Sequence, residues 1–256
     1  MLHPERVKAI VVDLDRTLLH TDKTLSPYTI AVLQECRRRG MKLMVATARP
    51  MRDVTQFCEK IAFDAMTVSN GARVICGMQR TEYGICPNSA ERILRALQCN
   101  PALRITLETG DCAYSNKPIV EYETTLSDDL IAMARAEGAT KILVHLDKDD
   151  TLAAVQKVLT EDVYATVAAG YLIQIMNRAA TKWNGIKAML NISHDPPAET
   201  IYFGDDHDDI EPIKRCGIGV AVSNGIEEAK TAADYVAESN DADGVAKFLA
   251  QLLEKE

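Results

Sequence analysis

Two short acidic motifs, separated by most of the chain, each follow a buried apolar strand. Asp13-Leu14-Asp15-Arg16-Thr17 comes directly after an almost unbroken apolar run at residues 7–12, and Gly204-Asp205-Asp206-His207-Asp208-Asp209 follows a second apolar run at residues 200–203. Ligands of open α/β sheets bind beyond the carboxyl ends of the strands, so the two motifs are expected to meet at one edge of a sheet. A carboxylate placed directly after a buried strand is unfavourable unless a cation or hydrogen-bond donors compensate it. The pattern therefore predicts a divalent-metal site, and magnesium is the expected ion.

Both motifs also have simpler interpretations. The second is compatible with a negatively charged helix start, because anionic side chains favour the N-terminal end of the helix dipole. That interpretation accounts for one or two of its acids and not for four, whose mutual repulsion a divalent cation relieves. In the first motif, side chains alternate in direction along an extended chain, so Asp13 and Asp15 are expected to point to different partners and to have different roles.

The order of the apolar runs predicts an α/β fold. Near both ends of the chain, buried strands alternate with helical patterns, which is typical of βαβ units and a mainly parallel sheet. Between residues 83 and 177 the strands become shorter and the pattern changes. We therefore predict a Rossmann-like parallel-sheet core built from residues 1–82 and 178–256, with an inserted α+β cap domain at residues 83–177.

The composition excludes several classes of protein. It is 47% hydrophobic and 26% charged, as in ordinary globular proteins, and the formal net charge of −8 argues against nucleic-acid binding, which requires a basic surface. No stretch approaches the roughly 18 apolar residues of a membrane span, and the seven cysteines are dispersed, as in a reducing compartment. We expect a cytoplasmic protein without membrane or nucleic-acid partners. A monomer is the default expectation and a homodimer is the alternative.

Two further polar residues stand where the acids are expected. Thr47 follows the buried strand Lys42–Ala46, and Lys182 precedes a helical pattern. Taken alone, Thr47 is compatible with a cap of the next helix, and Lys182 is compatible with an ordinary surface lysine. Phosphoryl transfer requires a hydroxyl or amide donor and a fixed positive charge around the phosphoryl oxygens, and these two residues supply both.

Together the motifs resemble those of the haloacid dehalogenase-like hydrolases, specifically the Cof-type phosphatases with a large α/β cap. The resemblance covers essentially the whole chain. It implies a phosphatase that acts on small phosphorylated metabolites, such as sugar phosphates or phosphorylated cofactors, and a cap that sets substrate specificity. The four ordered motifs are Asp13 through Leu19, Ala46-Thr47-Ala48-Arg49, Lys182 with Gly185, and Gly204 through Asp209.

The resemblance also implies a role for each matched residue. Asp13 would be the nucleophile that forms an aspartyl-phosphate, and Asp15 the acid that protonates the leaving oxygen and then activates water. For that role the pKa of Asp15 is expected to be raised. The phosphoryl oxygens would be bound by Thr47, Lys182 and the amides of Leu14 and Ala48, with Asp208 beside them. Mg²⁺ would be held by the side chain of Asp13, the carbonyl of Asp15 and Asp205, with Asp209 behind these ligands.

Three positions depart from the family pattern. Arg16 and Ala48 stand where the family usually has glycine, and Asp208 stands where it usually has asparagine. None of these departures removes a group that performs chemistry. Two other functions fit the same residues: a phosphosugar mutase of the same fold, which returns the phosphoryl group to its substrate, and a catalytically weakened metabolite-binding regulatory protein.

Overall fold

The structure is a computed structural model that describes residues 7–147, 150–168 and 170–254. Strands and helices alternate along most of this length. In chain order they are β1 Ala9–Val12, α1 Pro27–Arg38, β2 Lys42–Ala46, α2 Met51–Cys58, β3 Ala65–Val68, β4 Arg73–Cys76, β5 Gln79–Glu82, α3 Pro87–Gln98, β6 Ile105–Thr109, β7 Cys112–Ser115, β8 Thr125–Leu126, α4 Leu130–Glu137, β9 Lys141–His145, α5 Thr151–Gln156, β10 Val163–Ala168, β11 Leu172–Asn177, α6 Lys182–Ser193, β12 Thr200–Gly204, α7 Ile210–Arg215, β13 Ile218–Val222, α8 Glu227–Ala232, β14 Tyr235–Ala237 and α9 Gly244–Leu253.

The chain divides into two compact units, Met1–Thr81 with Thr181–Glu256, and Glu82–Ala180. Residues 178–180, assigned to the core from the sequence, belong to the second unit. The amide of Arg178 donates to the carbonyl of Asp162 at 2.9 Å, and the hydroxyl of Tyr164 donates to the carbonyl of Ala180 at 3.0 Å. These bonds hold the end of the inserted segment against its own strand β10.

The first unit contains a sheet whose described strands have the order β14-β13-β12-β1-β2-β3-β4-β5. Neighbouring strands from β14 to β3 run parallel, and β3 and β4 form an antiparallel hairpin. All four residues of β1 are buried, which is typical of a parallel strand covered by helices on both faces. The predicted parallel-sheet core is confirmed.

Helix α1 is bounded by a capping serine at its start and by a glycine after its end. The side chain of Ser26 accepts from the amide of Thr29 at 2.9 Å, and Pro27 occupies the first helical position. Gly40 follows the helix with a φ of +88°, a left-handed conformation that glycine adopts without strain. The chain therefore reverses its direction directly after α1 and enters β2.

The second unit contains a sheet whose described strands have the order β10-β11-β9-β6-β7-β8. Its pairs are antiparallel except for β7 with β8. One face carries alternating apolar residues that join a core with helices α3 and α4, which is the α+β arrangement predicted for the insertion. Apolar sheet residues in this core include Ile105, Leu107, Ile142, Val144, Ile173 and Ile175.

Among the described residues, none of the helices combines the length and the apolar character that crossing a bilayer requires.

Candidate active site

The carboxyl ends of neighbouring parallel strands form the candidate site. Strand β1 lies between β12 and β2, with Val12 opposite Phe203 on one side and Val45 on the other. The amide of Asp13 extends this pairing by donating to the carbonyl of Phe203 at 3.0 Å. Asp13 and Asp205, which follow these strands, consequently meet at one edge of the sheet, as the two motifs led us to expect.

A buried ammonium group lies between two carboxylates. The Nζ of Lys182 donates to Oδ1 of Asp13 at 2.8 Å and to Oδ1 of Asp209 at 2.6 Å. All three side chains are buried. Burial alone would lower the pKa of Lys182, but the negative charges of Asp13 and Asp209 raise it well above its usual value. Lys182 is therefore a permanent positive charge inside the site, and the interpretation of Lys182 as a surface lysine is wrong.

Helix α6 carries Lys182 as its first residue. The hydroxyl of Thr181 caps this helix by accepting from the amide of Asn184 at 3.1 Å. One turn further, α6 comes so close to β3 that a Cβ on Gly185 would lie 2.0 Å from the hydroxyl oxygen of Thr67. Glycine at this position thus allows the helix to approach the sheet and deliver the ammonium to the strand ends.

Asp209 organises the second motif. Its Oδ1 accepts from Lys182 and, at 2.5 Å, from the hydroxyl of Tyr202. Its Oδ2 accepts from the amides of Asp205 at 2.9 Å and Asp206 at 3.0 Å. These four donors use the acceptor positions of the carboxylate. Asp209 therefore fixes the loop that carries Asp205 and has little capacity left to bind a metal ion directly.

The second motif is also a helix start. Asp206 accepts from the amide of His207 at 2.7 Å and forms a capping box with Asp209 ahead of α7. Gly204 makes the turn possible, since a Cβ there would lie 2.4 Å from the Cβ of Asp209. The simpler interpretation of the motif thus describes two of its acids, and Asp205 and Asp208 need another explanation.

The two oxygens of Asp205 have different surroundings. Oδ1 accepts from the buried hydroxyl of Thr17 at 2.9 Å, and Oδ2 lies 3.8 Å from Nε of Arg16. Burial, assisted by the negative charge of Asp209, raises the pKa of Asp205 to about 6. Additional positive charge near Asp205 would therefore stabilise its ionised form.

The acidic cluster has the composition of a divalent-cation site. Asp13, Asp205 and Asp209 each offer a carboxylate oxygen within 4.8 Å of the others, and all three are buried. Burial, together with the charges of Asp209 and Asp205, raises the pKa of Asp13 well above its usual value, although Lys182 opposes the shift. An excess of buried negative charge with oxygen-only donors suits a hard cation such as Mg²⁺. Because Asp209 is already occupied by four donors, Asp13 and Asp205 are the side chains that would bind it.

Asp15 contacts different partners from Asp13, as alternation along the chain predicts. Arg49 donates to both of its oxygens, at 2.6 and 2.7 Å, and Nζ of Lys23 donates to Oδ1 at 2.7 Å. Burial alone would raise the pKa of Asp15, but the hydrogen bonds from Arg49 and Lys23 lower it to about 2. The expectation of a raised pKa is therefore wrong for this conformation, because two cations stabilise the ionised carboxylate.

The remaining predicted residues lie at the ends of β1, β2 and β12. Thr47 is buried, and its hydroxyl accepts from the amide of Arg49 at 3.2 Å. Helix α2 begins at Met51 after the N-cap Pro50 and has no side-chain cap, so the interpretation of Thr47 as a cap of that helix is wrong. Leu14 is buried at the start of a π-helical turn, Leu14–Leu18, while Ala48 is exposed after β2. The exposed Asp208 accepts from Nδ2 of Asn70 at 3.0 Å. Their contacts with a phosphoryl group stay predictions.

Comparison with known proteins decides the family. The sequence profile of the haloacid dehalogenase-like hydrolases matches residues 10–249. The chain belongs to this family. One relative of this haloacid dehalogenase-like hydrolase is the 5-amino-6-(5-phospho-D-ribitylamino)uracil phosphatase YitU of Bacillus subtilis, which is 25% identical over 261 residues covering 94% of this chain and 96% of the relative.

Two solved structures share the fold of this haloacid dehalogenase-like hydrolase. One is a haloacid dehalogenase-like hydrolase from Bacteroides thetaiotaomicron, with a TM-score of 0.87, 22% identity and coverage of 96% of this chain and 99% of that one. The other is the subclass IIB sugar phosphatase BT4131, with a TM-score of 0.80, 19% identity and coverage of 96% and 98%. With these matches, the chain is a Cof-type phosphatase of the haloacid dehalogenase-like family.

Several residues that contact the site carboxylates of this hydrolase were not assigned a role from the sequence, and Asn70, which donates to Asp208, is one of them. Thr17 and Arg49 lie inside motifs that were already recognised, so their positions were available as a signal. Tyr202 lies in an apolar strand and has the pattern of a core residue, and Lys23 is one charged residue in a polar loop. Thr17 contacts Asp205, and Tyr202 contacts Asp209. Arg49 and Lys23 both contact Asp15.

Proposed function

We propose that this phosphatase hydrolyses small phosphorylated metabolites through an aspartyl-phosphate on Asp13, with Mg²⁺ as its cofactor. The observation that carries the proposal is the buried carboxylate of Asp13, 2.8 Å from the Nζ of Lys182 and beside Asp205 at the end of β1. A carboxylate attacks a phosphate ester only when positive charge neutralises the phosphoryl oxygens. Bound Mg²⁺ would add positive charge at Asp13 and Asp205, and Lys182 supplies a further charge from the protein.

The reaction follows from the two carboxylates of the first motif. In the first step, an oxygen of Asp13 attacks phosphorus, the bond from phosphorus to the leaving oxygen breaks, and that oxygen takes a proton from Asp15. In the second step, Asp15 takes a proton from water as the water attacks the same phosphorus. The bond between phosphorus and Asp13 then breaks, which releases inorganic phosphate and restores the carboxylate.

Asp15 must change partners for the first step. Arg49 and Lys23 hold it as an ionised acceptor, and an ionised carboxylate has no proton to donate. We propose that Arg49 and Lys23 withdraw from Asp15 when substrate binds. Lys182 keeps its place, because its contact with Asp209 anchors it independently of Asp13.

Positioning of the phosphoryl group falls to residues at the same strand ends. In the proposal, Thr47 and the amides of Leu14 and Ala48 donate to the phosphoryl oxygens, and Asp208 lies beside them. Asp209 fixes the positions of Lys182 and of the amide of Asp205 by accepting a hydrogen bond from each. A phosphoryl group in this position would meet donors from two separate segments of the chain.

The proposed substrate class has support from the relatives. YitU is named for the hydrolysis of a phosphorylated ribitylaminouracil, and BT4131 is described as a sugar phosphatase. Both names denote small phosphorylated metabolites. We propose that the unit Glu82–Ala180 selects among such substrates, since these proteins match this chain over nearly their full length and therefore across that unit.

A panel of phosphorylated metabolites, assayed with and without Mg²⁺, tests the proposal. We expect turnover of at least one member, with inorganic phosphate released at the rate of substrate loss, which separates hydrolysis from the mutase reaction. Chelation should stop turnover and added Mg²⁺ should restore it. Asp13→Asn should be inactive. The matched control Asp162→Asn, which changes an aspartate that accepts from Ser89 in the second unit, should be active. Undiminished activity in chelator would contradict the cation assignment.

A further inference from the structure

Arg16 lies beside the proposed cation ligand Asp205. Its Nε is 3.8 Å from Oδ2 of Asp205, while Thr17, the next residue, donates to Oδ1 at 2.9 Å. The φ of Arg16 is 60°, in the left-handed region, so the chain turns sharply between Asp15 and Thr17. This turn places a positive charge at the one oxygen of Asp205 that Thr17 does not occupy.

Asn224 holds Arg16 in this position. The Nδ2 of Asn224 donates to the carbonyl of Arg16 at 2.7 Å, and Nη2 of Arg16 donates to the carbonyl of Asn224 at 3.2 Å. The side-chain oxygen of Asn224 accepts from the amide of Asn240 at 2.9 Å, and Nδ2 of Asn240 donates to the carbonyl of Leu19 at 3.0 Å. The loop after β1 is thus fixed at its turn and again at Leu19. The guanidinium stays near Asp205 although 61% of its side chain is exposed.

A guanidinium and a divalent cation cannot both pair closely with Asp205 without repelling each other. The repulsion grows as the surroundings become less polar, and Asp205 is buried. Arg16 is exposed enough to swing into solvent, so the cost of admitting the cation is limited to its ion pair and its bond to Asn224. An exposed ion pair and a single hydrogen bond each contribute little free energy. Breaking them should therefore weaken the affinity of the site for the cation by about three- to tenfold.

We propose that Arg16 is an internal competitor for the divalent cation. It pairs with Asp205 when no cation is bound and withdraws when one binds, which weakens the affinity of the site for Mg²⁺. The inference rests on the proposed function, because it takes Asp205 as a cation ligand. Arg16 thereby sets the Mg²⁺ concentration at which the enzyme becomes loaded.

Calorimetric titration of the substrate-free protein with Mg²⁺ tests this role without reference to activity. Arg16→Gln removes the charge and keeps a polar side chain, and we expect its dissociation constant for Mg²⁺ to be about three- to tenfold lower than that of the wild type. The difference should shrink as monovalent salt is added, because salt screens an exposed charge. Arg16→Lys keeps the charge and should stay closer to the wild type. Arg16→Gly, which accepts the left-handed backbone without strain, should shift in the same direction as Arg16→Gln.

Two further variants separate the possible failures. Lys247→Gln removes a charge that pairs with Glu238, and its affinity for Mg²⁺ should match the wild type. Asp205→Asn should lose most of the affinity. If the wild type does not bind Mg²⁺, or if Asp205→Asn binds as well as the wild type, the proposed cation site fails and the role of Arg16 fails with it. If Asp205→Asn loses binding while Arg16→Gln and Arg16→Gly bind no tighter than the wild type, only the role of Arg16 is overturned.

Discussion

Arg49 holds both carboxylate oxygens of Asp15, with its Nε 2.6 Å from Oδ2 and its Nη2 2.7 Å from Oδ1. Such a two-point contact fixes the direction of a carboxylate as well as its charge. The guanidinium itself lies over the ring of Phe57, with 5.3 Å between its central carbon and the ring centre. Asp15, the acid of the proposed reaction, is therefore oriented and kept ionised by Arg49, a residue of the segment after β2.

Replacement of this acid should strongly reduce steady-state turnover without unfolding the protein. Asp15→Asn removes the group that donates and accepts protons, and general acid–base catalysis is worth about 10²–10⁴-fold in rate. The asparagine carbonyl keeps one of the two contacts with Arg49, and the side chain is partly exposed to water, so the loop should keep its conformation. Steady-state kinetics, with circular dichroism to monitor folding, tests this. A kcat close to that of the wild type would remove Asp15 from the mechanism.

Loss of the buried ammonium should destabilise the first unit. Lys182→Met leaves Asp13 and Asp209 facing each other without a positive charge, and breaking a buried ion pair in this way costs about 3–5 kcal/mol. Urea denaturation in metal-free buffer measures the loss, and the fluorescence of Trp183, the single tryptophan, reports on this unit. Lys8→Met is the control, since Lys8 pairs with Glu199 at the surface and should matter little. Equal stability of the two variants would contradict the structural role of Lys182.

Replacement by asparagine should preserve turnover at Asp208 and strongly reduce it at the neighbouring Asp209. Asp208 is exposed and accepts one hydrogen bond from Asn70, which an asparagine carbonyl also accepts. Asp208→Asn removes a negative charge near the proposed position of the phosphate, so turnover should be preserved, KM should fall, and the Mg²⁺ needed for half-maximal activity should rise.

Asp209→Asn instead replaces one carboxylate oxygen by an amide NH₂, so two of the four donors lose their acceptor and face another donor. We expect a large loss of both kcat and stability. Steady-state kinetics over a Mg²⁺ titration compares the two variants directly. Should Asp208→Asn lose as much kcat as Asp209→Asn, Asp208 takes part in the chemistry.

His145 should make the second unit less stable in mild acid. Its ring is buried and contacts Tyr122, with 3.2 Å between Nε2 and the hydroxyl oxygen. Burial, with the positive charge of Arg104, lowers the pKa of His145 below its usual range. The unfolded chain therefore takes up the proton more readily than the folded one. The stability contributed by neutral His145 is present above the unfolded pKa, about 6.5, and is lost as the pH falls from there through the folded pKa.

Hydrogen exchange of the amides in β9 tests this dependence. After correction for the intrinsic effect of pH on exchange, protection should be lower at about pH 5.5 than at about pH 7.5. His145→Gln cannot take up the proton, so its protection should change less between the two conditions. A difference of the same size in the variant would assign the pH dependence to other groups.

The sequence was sufficient to predict the fold class and the strand ends that bear the acids. Buried apolar runs and their turns are local signals, and their alternation with helical patterns predicts a mainly parallel sheet. The strands that were not predicted lack a local signal. β8 has 2 residues and β14 has 3, which is too few for an apolar period to show, and β5 consists of polar residues.

The partners of the site carboxylates depend on contacts between distant segments. Lys182 and Asp13 are separated by 169 positions, and Arg49 and Asp15 by 34. The position of Asp15 after a buried strand could be predicted from the sequence. Its lowered pKa could not, because it depends on Arg49 and Lys23, which the fold brings to it. Tyr202 shows the same limit, since its hydroxyl is a partner of Asp209 although Tyr202 lies between the apolar residues Ile201 and Phe203.

The most direct test of the phosphoaspartate mechanism is the identity of the residue that carries the phosphoryl group. Enzyme mixed with a phosphorylated substrate and Mg²⁺ is quenched within one turnover, and borohydride reduction then converts an aspartyl-phosphate into homoserine, which peptide mass spectrometry locates. We expect homoserine at position 13 in the wild type, and none in Asp13→Asn or in wild-type enzyme without substrate. Homoserine at any other aspartate, or steady turnover that never leaves homoserine at position 13, would contradict the mechanism.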